Sequence, residues 1–176
     1  ADQLVADLRS VAAEWEDDGA YRTEFLADPT DAVQKLMRGI GALSTGELAG
    51  ERMAVAFETK DQEDEHSCFS DNTNADVRNN VLGVKVVYLA EGMDGPSVSS
   101  LVAAVDPELD ATLRDQIDQS LALVDAFPAT FETMIAAPSD DPASTAFADA
   151  LTSIETQGQT IAQAASALGL EISITV

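Results

Sequence analysis

The 176-residue chain carries 9 basic against 32 acidic residues, a formal charge of −23, with 45% apolar and only 5% aromatic residues. A surface that negative repels phosphate backbones and anionic lipid heads, which argues against nucleic-acid and membrane-surface binding and leaves metal cations and basic partners. The apolar share is too high for a disordered chain, the length suits a single helical domain, 1–176, and abundant alanine favours close-packed helices over a β-sandwich.

Ala1-Asp2-Gln3-Leu4 lacks the basic start and apolar core of a signal peptide, so either a signal has been removed or the chain begins inside a longer precursor. Leu4, Leu8, Val11 and Trp15 then step by 4, 3 and 4, a stripe on one helical face, with Trp15 at its core edge. Two short helices are expected next. One follows Asp28-Pro29 and carries Val33, Leu36, Met37 and Ile40; Gly39-x-Gly41 breaks it. The other opens at Ser44-Thr45-Gly46-Glu47, which fits a capping box with Ser44 as N-cap, and runs towards Thr59. Val77, Val81, Val84 and Tyr88 form a second stripe, and Leu109, Leu113, Ile117, Leu121 and Val124 a third, opened by Asp106-Pro107. The last runs through Phe147, Leu151, Ile154, Gly158, Ile161, Ala165 and Leu168, opened by Asp141-Pro142 and closed by Gly169. Segments 93–96 and 137–141 read as loops, and Glu171–Val176 alternates like a short strand with no partner. Four stripes predict an all-α, antiparallel four-helix-bundle-like domain with extra short helices. No apolar run is long enough for a membrane span.

HExxH, GxSxG, Walker and Cys/His zinc patterns are absent, and a single cysteine, Cys68, allows no intrachain disulfide. Chemistry concentrates in Asp61 to Thr73, which holds Asp61, Glu63, Asp64, Glu65, Asp71 and the sole histidine, His66. On a helix, Glu63 and His66 would share a face at the Glu-x-x-His spacing of carboxylate-bridged di-iron bundles, but the chain has no second such pair. The EF-hand pattern fails as well, with His66 where glycine and Asn72 where glutamate is needed. What is left is a partial site in which imidazole and carboxylates supply two or three ligands to iron or another divalent metal, shared with another chain. The alternative is a solvated acidic turn whose Asp71-Asn72-Thr73 caps the following helix. Arg52 lies in an apolar register with Leu48 and Val55; either it pairs with Glu51, Glu63 or Glu65, or it snorkels past the core edge.

The stretch Gly46-Glu47-Leu48-Ala49-Gly50-Glu51-Arg52-Met53, followed by Gln62-Glu63-Asp64-Glu65-His66-Ser67-Cys68-Phe69-Ser70-Asp71-Asn72-Thr73, resembles the second half of imelysin-like proteins, specifically the iron-regulated protein A group. The ending Ala164-Ala165-Ser166-Ala167-Leu168-Gly169-Leu170 is also similar to the way that family closes. The resemblance implies an all-α protein of two bundle-like halves with a site in the cleft between them, export to the periplasm or cell surface, and an association with iron acquisition. It implies a metal role for Glu63, Glu65 and His66 and a ligand-binding role for Arg52, Ser70 and Asp71, with the N-terminal half of the precursor or a second chain as partner. Some members are described as metallopeptidases on a Gly-x-His-x-x-Glu motif. Here the only histidine reads His66-Ser67-Cys68-Phe69, so no catalytic residue is assigned to this chain.

Overall fold

The computed structural model describes residues 1–175, which are all-α: helices and helical turns joined by loops, with no strand among the described residues. Contacts divide the chain into two compact units, Ala1–Leu36 and Met37–Val176.

The first unit contains α1 (Asp2–Glu14), α2 (Ala20–Ala27) and the beginning of α3 (Pro29–Ala42). The leading stripe was expected in the bundle core, yet Leu4, Leu8 and Val11 are about 60% exposed and α1 buries no residue. Periodicity identifies the apolar face of a helix and carries no information on what covers it. Trp15 instead joins Tyr21 and Phe25 in a small aromatic cluster, with ring centroids 4.9 and 5.4 Å from the indole.

Helical backbone runs unbroken from Pro29 to Thr59: α3, a π-helical segment (Leu43–Ala54), then α4 (Val55–Thr59). This corrects the expected break at Gly39-x-Gly41 and the cap at Ser44. Ser44 Oγ donates to Ile40 O (2.8 Å) from within the helix and accepts Gln157 Nε2 (3.0 Å). Gly41 and Gly158 instead serve close approach, whereas Gly39 meets nothing nearby: a Cβ on Gly41 would lie 2.8 Å from Ile174 Cγ2, and one on Gly158 2.0 Å from Thr45 Oγ1.

Five more α-helices belong to the second unit: α5 (Thr73–Leu89), α6 (Val98–Val105), α7 (Pro107–Asp125), the short α8 (Phe131–Ala136) and α9 (Pro142–Ala167). The long ones form a ring in which α5 packs on α7, α7 on α9, α9 on the π segment and the π segment on α5. The cross-links fix their directions. Arg78 near the start of α5 pairs with Asp125 at the end of α7 (2.6 Å), while Tyr88 at the end of α5 reaches Asp110 at the start of α7 (2.8 Å). Likewise the start of α9 meets the end of α4 through stacked Phe147 and Phe57, and Gln157 meets Ser44 further along. Neighbours are therefore antiparallel, a four-helix bundle whose fourth member is the helix through the π segment. Its core gathers Leu48, Met53, Val77, Val81, Phe131, Met134, Phe147 and Ile154.

Three of the helices start where an aspartate precedes a proline. Asp28, Asp106 and Asp141 accept first-turn N–H groups through Oδ1 at 2.8–3.2 Å, and each proline takes the position where its missing N–H costs nothing. Gly169, at φ +75°, follows the last helix as expected. Residues 171–175 form no strand; Ile172 and Ile174 alternate because they lie against Gly41, and Val176 is outside the described residues. No described helix is long and apolar enough to cross a membrane. One polar knot is fully buried: Asp110 accepts Tyr88 Oη (2.8 Å) and Ser99 Oγ (2.6 Å), tying α5, α6 and α7 together. Burial, then the bond to Asp110, pushes the Tyr88 hydroxyl far above its ordinary pKa.

Candidate functional site

The acidic segment lies between two left-handed residues, Lys60 (φ 59°), which ends α4, and Asp71 (φ 50°), which precedes α5. Asp61 Oδ1 accepts Glu63 N (2.9 Å) and nucleates a single 3₁₀ turn over Gln62–Asp64; Glu65 is then extended, and a second 3₁₀ turn covers Cys68–Ser70. Glu63 and His66 therefore do not share the face of one helix. Asn72 and Asp71 do not cap α5 with their side chains; Asn72 Nδ2 donates instead to Asp76 Oδ1 (3.2 Å).

The change to extended backbone at Glu65 sends that side chain inward, where it is 6% exposed, while Glu63 and His66 remain exposed. Thr73 Oγ1 accepts Ser67 N (3.3 Å) and donates to Glu65 Oε2 (3.0 Å), so one hydroxyl at the start of α5 fixes the carboxylate. Glu65 Oε1 is buried and has no hydrogen-bond partner. Asn74 Nδ2 donates to Ala129 O (2.9 Å), which leaves its Oδ1 buried and also without a partner. Both side chains line a cavity of about 50 Å³ shared with Asp71, Thr73, Thr130, Phe131 and Glu132. Burial raises the Glu65 carboxyl above the usual range; the Thr73 bond opposes that, and the charges of Glu132 and Asp71 add to it.

Of the residues expected to act together, the structure brings Glu65 and Asp71 to one cavity. Ser70 Oγ donates to Ser67 O within its own turn (3.3 Å). Arg52 pairs with Glu47 (3.7 Å), and not with Glu51, Glu63 or Glu65, because residues five apart come into line on the wider π turn. Cys68 is a half-buried free thiol. Sequence reasoning missed Asn74 and Glu132. Asn74 sits just beyond the acidic run, whereas Glu132 belongs to α8, which has no periodic signal and reaches the cavity only through tertiary contact. Among the described residues no three His, Cys, Asp or Glu side chains are placed to hold an ion together. A cation here would need amide, hydroxyl or water oxygens besides carboxylates.

A family model described as Peptidase_M75, Imelysin, matches residues 1–158. The chain is also similar to Iron-regulated protein A of Synechococcus elongatus, 28% identical over 153 residues that cover 78% of this chain and 43% of the relative. It thus spans less than half the length of that curated relative.

Proposed function

The chain belongs to the imelysin family, and from that premise we propose that it is a non-catalytic, metal-binding part of an exported protein that serves iron acquisition. On this reading it acts in the periplasm or at the cell surface, and another part of a longer protein, or a second chain, completes the cleft. Glu63, Glu65 and His66 supply metal ligands, and Arg52, Ser70 and Asp71 line the approach. The observation that supports it best is Glu65, a buried carboxylate with one oxygen unpartnered, in a segment where Glu63 and His66 are exposed. The exposed apolar stripe of Leu4, Leu8 and Val11 supports a partner surface. In the assembled protein, His66→Ala should lower bound iron in elemental analysis, while the metal-free variant melts at the wild-type temperature. Unchanged iron content would sink the reading.

The family description favours one second reading, a metallopeptidase whose catalytic ligands lie outside this chain. Chelator-sensitive cleavage of a protein substrate by the assembled protein would select it; no cleavage selects the binding role.

A further inference from the structure

We propose that the cavity between Glu65–Asn74 and the start of α8 is a site for one hard divalent cation of the calcium class, bound through Glu65, Asn74 and Glu132 with Asp71 and Thr130 beside them. The inference shares Glu65 with the iron reading and departs from it in taking Asn74 and Glu132, not Glu63 and His66, as the other ligands, so it does not need iron to bind.

Two buried acceptors without a donor, Glu65 Oε1 and Asn74 Oδ1, belong to side chains that line the same small cavity. Native interiors seldom leave such atoms unpaired. Asn74 cannot relieve the mismatch by turning its amide, because Nδ2 is held by Ala129 O (2.9 Å). Glu132 and Asp71 add negative charge on the same cavity, and none of its described lining residues is basic. A cation answers both the charge and the missing donor. Every polar side chain on the lining offers oxygen and none offers nitrogen or sulfur as a ligand, which selects a hard ion over a soft one. His66 is not part of that lining. A volume of about 50 Å³ admits an ion with one or two waters and excludes an organic ligand. The carboxylates alone do not close around a point, so amide, hydroxyl and water oxygens complete the shell, as flexible calcium sites allow. Bound there, the ion would fasten the segment before α5 to α8.

The test is calorimetric titration of calcium into chelator-stripped protein, with thermal melting in parallel. One saturable site is expected, with Kd on the order of 10⁻⁴ M and a higher melting temperature when loaded. Glu132→Gln, at a half-buried position that tolerates the amide, should weaken binding at least about tenfold. Asp140→Asn, an exposed loop carboxylate, should change nothing, and His66→Ala should keep calcium binding. The proposal is overturned by the absence of a saturable site, by equal weakening in Glu132→Gln and Asp140→Asn, or by loss of calcium binding in His66→Ala, which would put the ion at the exposed face. Iron loading that survives His66→Ala would instead count only against the iron reading.

Discussion

Among the described residues of the unit Met37–Val176 two side-chain carboxylates are buried, and their surroundings treat them in opposite ways. Asp110 is 4% exposed and Glu65 6%. Asp110 accepts two hydroxyls from neighbouring helices on one oxygen, with Arg114 3.9 Å from the other. Glu65 has one hydroxyl partner, a bare second oxygen, and two further carboxylates facing the same cavity. Burying a charge is tolerable when its hydrogen bonds are complete and costly when they are not. Asp110 is thus a structural tie between helices. Glu65 keeps one acceptor unanswered, which the proposed cation would answer.

The largest effect expected from this contrast is Asp110→Ala. It leaves the Tyr88 and Ser99 hydroxyls without an acceptor in the core and should cost about 3 kcal/mol in urea unfolding. A loss below about 1 kcal/mol would mean that the knot is not structural. Tyr88→Phe should cost less, about 1 kcal/mol near neutral pH, and it also changes the alkaline limb. The Tyr88 hydroxyl is held neutral in the fold by burial and by Asp110, so its folded pKa lies above the unfolded value. Its contribution is fully present below about pH 10 and is lost as pH rises beyond that. The wild-type protein should therefore lose stability faster than Tyr88→Phe above about pH 10, and parallel curves would contradict the assignment.

Much of the frame is legible in the sequence because its signals are local. Asp28-Pro29, Asp106-Pro107 and Asp141-Pro142 mark true helix starts, since proline's fixed φ and the aspartate cap act within one turn. The stripes through Val77 to Tyr88, Leu113 to Val124 and Phe147 to Ile161 do face the core. The π segment is illegible: Ser44-x-x-Glu47 imitates a capping box, yet Ser44 Oγ donates to Ile40 O four residues back from within continuous helical backbone. The site divides in the same way. Its acidic run stands out in composition, but nothing local shows that Glu65, and not Glu63, points inward. That depends on the extended backbone at Glu65 and on Thr73 across the turn. Glu132 comes from a remote helix and is found only by folding the chain.

The most direct measurement of the contrast is the unfolding free energy of Glu65→Gln against wild type, in chelator and in saturating calcium. The amide removes the buried charge and brings a donor that can face Asn74 Oδ1. In chelator the variant should be more stable by about 1 kcal/mol, and in calcium it should be less stable than wild type, because only the carboxylate is stabilised by the ion. A variant that is less stable by the same amount in both conditions would show Glu65 to be a structural carboxylate like Asp110, and would contradict the account.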